Sequence, residues 1–242
     1  MSAGYAARPR ARRGRGTTSR GRATGNVHRP GSRGAMIGAF YEHNLRGRYV
    51  EVEYADGRVR PLAAERWLRP IDGDEHVLGR CGGPTLDVGS GAGRLTAALA
   101  RRGIFALGID ITPLAVELTR RAGGLALLRC VFEPLPGTGL WAEALLTDGN
   151  IGIGGDPEAL LRRVRQLVRP GGSVFAEVRS PGSGSTVDRV RLRHGGRTGD
   201  WFPWATVCAD DIGLLAVRCG FPTVELWTAA GRWFATCTGP AP

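Results

Sequence analysis

The chain has 242 residues, of which 42% are hydrophobic and 23% charged, as is typical of a globular protein with a sizeable core. Its 33 basic residues are all arginine, which excludes phosphate-loop lysines, lysine Schiff bases and lysine general bases. No apolar run approaches the ~20 residues of a membrane-spanning helix, so no contact with a membrane is expected.

The N-terminal segment carries most of the positive charge. Residues 1–38 hold nine arginines and no acidic residue, whereas the rest of the chain has 24 arginines against 22 acidic residues. With few large apolar side chains, this segment is predicted to be a disordered Arg/Gly-rich tail. Three interpretations are open: an arm that contacts RNA or DNA backbones, an organelle transit peptide, or a functionless segment translated from a start upstream of Met36. Any contact with nucleic acid would be made through this tail alone.

A small N-terminal unit is predicted over residues 39–84. The segment Tyr49–Tyr54 alternates between apolar and polar residues, Asp56-Gly57 signals a tight turn, and Arg58–Leu62 resumes the pattern. This arrangement is typical of a β-hairpin. A short helix is predicted to follow over residues 72–80.

A glycine-rich turn follows a predicted strand at residues 85–88. Asp87 precedes Gly89, Ser90, Gly91 and Gly93, and a helical pattern begins at once. Glycine lets the backbone approach a ligand closely, and a helix N-terminus favours an anionic group. The third glycine comes one residue too early for a dinucleotide-binding turn.

The next predicted strand, over residues 106–109, ends at Asp110. This carboxylate follows the first glycine by about 20 residues, where an open α/β sheet places an acceptor for ribose hydroxyls.

The order Asp87-x-Gly89-x-Gly91-x-Gly93 resembles motif I of the class I S-adenosylmethionine-dependent methyltransferases. The resemblance continues through Asp110 and the Val168–Gly172 turn. It implies an α/β fold with a Rossmann-like, seven-stranded, mostly parallel sheet, helices on both faces, an antiparallel last strand and a small N-terminal hairpin or lid. Residues 85–242 would form the binding domain, and S-adenosyl-L-methionine is the expected cofactor.

The resemblance also assigns residues to the cofactor site. Members of the family often read the adenine amine with an acidic residue after the third strand, but Val131 stands there. Glu133, or a backbone amide beside Phe132, is therefore expected to do so. No metal is expected, because the five cysteines and four histidines lack metal-ligand spacing. The complete set of predicted cofactor-binding residues is Asp87, Gly89, Ser90, Gly91, Gly93, Asp110, Ile111, Phe132, Glu133, Asp148 and Gly149.

Catalytic groups are expected after the fourth strand, predicted over residues 142–147. Family members often place acceptor-side groups there, so Asp148 and Asn150 are the predicted catalytic residues. Asp148 is the first candidate for a general base and His194 the second. A flexible glycine-rich connection is the alternative interpretation of this loop.

The remaining predicted elements follow in chain order. They are a helix over 158–167, the 168–172 turn, a strand over 173–178, an added strand or arm over 187–193, a helix over 210–219 and a closing hairpin over 224–238. The aromatic group Trp201–Trp204 is expected either to wall the acceptor pocket or to pack in the core. The same two alternatives apply to Phe40, Tyr41, Tyr49 and Trp67 in the predicted lid.

The resemblance implies methyl transfer from S-adenosyl-L-methionine to a small-molecule acceptor by in-line displacement. The odd number of cysteines without a secretory signal suits a cytoplasmic location. Two alternatives are open: an RNA or protein methyltransferase docked by the Arg-rich tail, and a non-catalytic cofactor-binding module.

Overall fold

A computed structural model describes residues 32–63 and 65–242. None of the helices in these ranges has the length and apolar character needed to cross a membrane. The helices are α1 Ser32–Leu45, α2 Glu65–Leu68, α3 Asp74–Gly79, α4 Arg94–Arg101, α5 Pro113–Arg121, α6 Pro157–Leu167 and α7 Ala209–Arg218, with a 3-10 segment at Asn150–Gly155. The strands are β1 Glu51–Tyr54, β2 Val59–Pro61, β3 Thr85–Val88, β4 Ala106–Asp110, β5 Leu125–Leu128, β6 Trp141–Leu146, β7 Val168–Val178, β8 Thr186–His194, β9 Arg197–Thr198, β10 Phe202–Thr206, β11 Thr223–Ala229 and β12 Arg232–Thr238.

The main sheet has seven strands in the order β11-β12-β7-β6-β3-β4-β5. The strands from β5 to β7 pair in parallel, and β12 runs antiparallel to both β7 and β11. Helices α4, α5 and α6 lie in the crossovers from β3 to β4, β4 to β5 and β6 to β7, whereas residues 129–140 join β5 to β6 without a helix. The predicted α/β class with a mixed sheet of seven strands is confirmed.

Helices cover both faces of this sheet. Successive side chains of a strand point to opposite faces. On β6, Ala144 and Leu146 pack in one buried cluster with α6 and α7, whereas Leu145 packs in a second cluster with α3 and α4. The carboxyl ends of the parallel strands therefore open between two helical layers, at the edge where ligands bind in open α/β sheets.

A second sheet runs in the order β10-β8-β1-β2, with β9 paired to β8. The β1–β2 hairpin is antiparallel, as the alternation and the turn signal predicted. Its partner β8 is a strand far along the chain, and the pairing sets Val52 opposite Leu192. The predicted boundary at residue 84 therefore does not separate the hairpin from the later chain, because the apolar sides of β1 and β8 are buried together.

Helix α1 begins inside the segment predicted to be a disordered tail. It starts at Ser32, so the predicted boundary at residue 38 is corrected. Ile37 and Phe40 of this helix are buried against Val50 and Leu192 of the second sheet, which supplies the apolar contact that orders it. The rest of the predicted tail, residues 1–31, lies outside the described residues.

The predicted Val168–Gly172 turn is part of β7. Trp141 pairs with Val168 and Glu143 with Ser173, so β7 accommodates an irregular bulge between these two pairs. Gly171, with φ of 69°, lies in the bulge, and its amide donates to the Pro240 carbonyl at 2.6 Å. The glycines thus kink a continuous strand instead of preceding it.

We expect Leu192→Ala to lower the free energy of unfolding by about 2–5 kcal/mol, because this side chain is 1% exposed at the contact between α1 and the second sheet. Urea unfolding measures the loss. Leu214→Ala is the matched control, because Leu214 is 72% exposed on α7. Equal stabilities of the two variants would contradict a packed contact here.

Candidate functional site

A cavity of about 740 Å³ lies at the carboxyl ends of β3, β4 and β6. Helix α1, strands β1, β8 and β10 and the segment after β5 complete its walls. Most of the predicted cofactor-binding residues line this cavity, namely Asp87, Gly89, Ser90, Gly91, Asp110, Ile111, Phe132, Glu133 and Asp148. Gly93 and Gly149 are not among its lining residues.

The glycine-rich turn has a backbone shape that favours glycine. Gly89 and Gly91 have φ of 71° and 54°. A Cβ on Gly89 would lie 2.8 Å from Asn150 Nδ2, so glycine is required for this close approach. Asn150 Nδ2 donates to the carbonyls of Val88 and Gly89 at 2.8 and 3.0 Å. The Asn150 amide therefore fixes the turn beside the cavity.

Gly93 has a different task from the one predicted. Its φ is 81° at the N-terminus of α4, and a Cβ there would lie 2.6 Å from Thr119 Cγ2. Gly93 therefore lets α5 pack closely against the turn. Its contribution to a ligand site is indirect.

Asp110 faces the cavity and holds the glycine-rich turn. Its Oδ2 accepts from Gly91 N at 3.0 Å, and its Oδ1 accepts from Thr112 N at 2.8 Å. Burial raises the pKa of Asp110, and these hydrogen bonds act in the opposite direction. A carboxylate oxygen has further lone pairs, so hydroxyl groups of a bound sugar fit this position.

Asp87 lies beneath the turn, almost completely buried. Its Oδ2 accepts from Thr96 Oγ1 at 2.6 Å. Burial raises the pKa of Asp87 to about 6, although Thr96 and Arg94 act in the opposite direction. The nearby Ser90 hydroxyl is buried, has no hydrogen-bond partner among the described residues, and lies against Gly108.

A buried network of ion pairs lies behind the glycine-rich turn, and it was not predicted from the sequence. Arg94 donates to Asp74 and to Asp148. Arg232 Nη1 donates to Asp74 Oδ1 at 3.0 Å, and its Nη2 donates to Glu177 Oε2 at 2.7 Å. Two guanidinium groups thus hold three carboxylates in place.

One signal for this network was present in the sequence. Arg94 is the first residue of α4, where the helix dipole disfavours a cation. A buried arginine at such a position needs carboxylate partners. Burial opposes ionisation of Asp74, but Arg94 prevails and holds the pKa of that carboxyl below its usual value.

The predicted catalytic residues have positioning contacts in this structure. The Asp148 carboxylate is bound by Arg94, and its Oδ1 lies 3.6 Å from Arg232 Nη2. Burial raises the pKa of Asp148 while both arginines lower it. The effect of burial prevails, so the pKa of Asp148 is raised although guanidinium groups hold its oxygens. His194, the second candidate base, lies away from the cavity with its ring 4.5 Å from that of His43.

The residues after β5 form the far side of the cavity. Phe132 lines it, and its ring is 3.2 Å from where a Cβ on Gly154 would lie. Glu133 also lines the cavity, but its Oε2 accepts from Cys130 N at 3.2 Å within the same loop. Val131 is buried in the core beneath them.

The predicted lid aromatics divide into two groups. Tyr41 and Trp67 line the cavity, with ring centroids 6.0 Å apart. Phe40 is buried in the core, as the alternative interpretation had it, and Tyr49 is 65% exposed and away from the cavity. Burial raises the pKa of Tyr41, and Asp110 raises it further.

The Trp201–Trp204 group is also divided. Phe202, Pro203 and Trp204 line the cavity on strand β10. Trp201 is not a lining residue; the Arg191 guanidinium lies 4.6 Å from its ring centroid.

An open Rossmann-like sheet with a glycine-rich turn facing a cavity defines the class of this protein. Residues 85–172 match the model of the family described as Methyltransferase domain. Over these residues the chain is similar to a methyltransferase domain, and the open sheet agrees with the fold of S-adenosylmethionine-dependent methyltransferases.

Relatives and solved structures agree with this assignment. A ubiquinone biosynthesis O-methyltransferase from Acinetobacter baylyi is 32% identical over 126 residues, which are 48% of this chain and 52% of that protein. The chain thus spans about half the length of the curated relatives it matches. A methyltransferase from Bacteroides fragilis, solved with S-adenosyl-L-homocysteine, has a TM-score of 0.68 and 24% identity over 86% of this chain and 94% of that chain.

A second solved structure has the same fold. The 1,6-didemethyltoxoflavin-N1-methyltransferase of Burkholderia thailandensis was solved with its acceptor and S-adenosylhomocysteine bound. It has a TM-score of 0.52 and 19% identity, covering 89% of this chain and 94% of that chain.

We expect Asp87→Asn to remove a pH-dependent loss of stability. The pKa of Asp87 in the folded protein, about 6, lies above the roughly 3.9 of an unfolded chain, so the folded state loses stability as the pH rises through this window. Between about pH 4 and about pH 7, the variant should gain roughly 1–3 kcal/mol of unfolding free energy relative to the parent protein.

Urea unfolding of the ligand-free protein at both pH values measures this gain. Asp200→Asn, on the exposed loop before β10, is the control and should change by less than about 0.5 kcal/mol. A stability difference between Asp87→Asn and parent that is the same at both pH values would contradict the raised pKa.

Proposed function

We propose that the chain is an S-adenosylmethionine-dependent methyltransferase that acts on a small-molecule acceptor. The observation that carries this proposal is the shared cavity of the glycine-rich turn and Asp110. Gly89 and Gly91 expose backbone there, and the Asp110 carboxylate lies beside them with hydrogen-bonding capacity left over. A nucleoside fits such a cradle, because its sugar hydroxyls need an acceptor and its chain needs space free of Cβ atoms.

The cavity has the size of a ligand-binding pocket. Its volume of about 740 Å³ lies in the upper part of the range of roughly 300–1,000 Å³ found for ligand pockets. Asp110 and the turn would hold the sugar and amino-acid parts of the cofactor, and Phe132 with Glu133 would lie beside the adenine. The space between these residues and the second sheet would receive the acceptor.

S-adenosylmethionine, when bound, supplies a methyl group already activated as a sulfonium. The chain's own residues therefore align and enclose the reactants. Asn150 fixes the turn through two carbonyl groups, and Arg94 fixes Asp148 beside it. We assign Asp148 and Asn150 to positioning, because the first is ion-paired and the second donates to the backbone.

We propose that α1, Trp67 and the second sheet together form the lid of this site. Tyr41 and Trp67 line the cavity, with Trp67 Cβ 4.0 Å from where a Cβ on Gly91 would lie, and Val52 and Leu192 line it from the second sheet. Such a cover excludes water from the reacting groups.

The named relatives support a small acceptor. The Acinetobacter baylyi protein is named as an O-methyltransferase of ubiquinone biosynthesis, and the Burkholderia thailandensis enzyme was solved with a small bound acceptor. Outside residues 1–38, the chain is close to neutral, which disfavours a large phosphate-rich substrate. We further propose a reducing, cytoplasmic location, because all five cysteines are free thiols.

We expect Asp110→Ala to weaken binding of S-adenosylhomocysteine by about 1–3 kcal/mol, because the ribose hydroxyls lose their acceptor. Isothermal titration calorimetry measures this loss. Asp200→Ala, on the exposed loop before β10, is the matched control and should bind like the parent. An unchanged affinity of Asp110→Ala would count against the site, and no binding to the parent protein would refute the proposed function.

A further inference from the structure

The cavity has two chemically different walls. The polar wall carries the glycine-rich turn, Asp87, Asp110 and Asp148. The other wall is built from the second sheet, Leu62 after β2 and α1, and its residues outside α1 are largely apolar or aromatic: Val52, Leu62, Val190, Leu192, Phe202 and Trp204. The acceptor must occupy the space between the cofactor and this second wall, which we name the acceptor wall.

We infer that the acceptor is a flat, uncharged, largely apolar molecule whose nucleophile reacts without a carboxylate base from the protein. This inference rests on the proposed function. It deepens that proposal by naming the acceptor's chemical class from the chain's own residues.

No guanidinium group of β8 lines the cavity. Val190 and Leu192 line the cavity, and side chains alternate along a strand, so Arg191 and Arg193 lie on the opposite face of the second sheet. There Arg191 Nη2 lies 2.8 Å from Glu53 Oε1, and Arg193 Nε lies 3.7 Å from Glu51 Oε2.

The other arginines lining the cavity lie away from the acceptor wall. Arg94 is engaged by Asp74 and Asp148, and Arg129 lies after β5 on the side assigned to adenine. An acceptor with a carboxylate or phosphate would therefore bury its charge against apolar residues, at high cost.

The acceptor wall offers one carboxyl group among the described residues, and it is engaged. Glu42 of α1 accepts from Leu114 N at 3.4 Å, at the N-terminal end of α5. This contact occupies one of the two carboxylate oxygens of Glu42. Because Asp148 is bound by Arg94, the acceptor must bring a nucleophile that is reactive by itself, such as a ring nitrogen or an acidic hydroxyl.

Aromatic rings make a flat acceptor the best match. Phe202 and Trp204 line the cavity from β10, whereas Tyr41 of α1 and Trp67 of α2 line it closer to the glycine-rich turn. Flat rings bury large areas against such side chains and stack with favourable geometry.

The test uses three probes with one ring system: a naphthol, a naphthoate and a naphthylmethylammonium ion. Each is titrated by calorimetry into the full chain saturated with S-adenosylhomocysteine. We expect the naphthol to bind at least tenfold more tightly than either charged probe. Equal or tighter binding of a charged probe would overturn the inference.

A charge placed on the acceptor wall provides a second measurement. Leu62→Arg adds a guanidinium at a half-buried lining position, and the ratio of naphthoate to naphthol affinity should rise at least fivefold. Leu140→Arg makes the same change at a 71% exposed position outside the cavity, and should leave the ratio unchanged. Equal ratios in the two variants would contradict the assigned acceptor wall.

Failure of the inference and failure of the proposed function give different results. If S-adenosylhomocysteine does not bind the parent protein, both the proposed function and the inferred acceptor class are refuted. If it binds and the charged probes are preferred, the acceptor class alone is wrong.

Discussion

The ion pairs of Arg94 are the constraint on which the site depends. This guanidinium joins Asp74 of α3 to Asp148 after β6, and it is carried by the helix that the glycine-rich turn begins. Arg232 extends the contacts to Glu177, whose Oε2 accepts from Asp148 N at 2.7 Å. Elements from both ends of the domain therefore meet behind one turn. Removing one partner would leave a buried charge uncompensated, which costs more than the complete network contributes to stability.

The network also explains why the Asp148 loop has an unusual backbone. Asp148 has φ of 55°, a conformation that residues with a side chain rarely adopt, and Gly149 follows with φ of 84°. This geometry directs the carboxylate to Arg94 and starts the 3-10 segment that carries Asn150. The Asn150 amide then reaches back to the turn. The strand-end position had suggested catalysis for both residues, but their contacts indicate that they hold the cradle in shape.

Elements that are determined by residues close together in the sequence were predictable. The strands with their glycine turn, Asp110 at the end of β4, the hairpin of β1 and β2, and the Asp156-Pro157 start of α6 all have local signals. The Asp156 side chain accepts from Ala159 N, as a helix cap should. The methyltransferase domain was identified on the same basis, because motif I and Asp110 are separated by a fixed spacing.

Contacts between distant segments were not predictable in the same way. The alternation in β8 indicated a strand, but nothing local showed that Val190 and Leu192 would pair with β1 and complete a cavity. The two partners of Arg94, Asp74 and Asp148, likewise lie in distant segments of the chain. Tyr41 and Tyr49 were equivalent candidates in the sequence. Tyr41 lies on α1 and lines the cavity, whereas Tyr49, just before β1, is exposed. Which aromatic residues shape the site is decided by tertiary packing.

In the proposed site, the second sheet would give a common type of domain its selectivity for the acceptor. In the proposed site, the glycine-rich turn and Asp110 would recognise groups that every molecule of the cofactor carries, so they would place few limits on what is methylated. The chain adds residues 32–63 before this domain and returns β8 to β10 after β7, and both additions contact the same cavity. β8 turns Val190 and Leu192 inward and its arginines outward, so in the proposed site the alternation of a single strand would set the selectivity for the acceptor. A shift of one residue in the β1–β8 register would exchange the two faces of β8. Arg191 and Arg193 would then face the cavity.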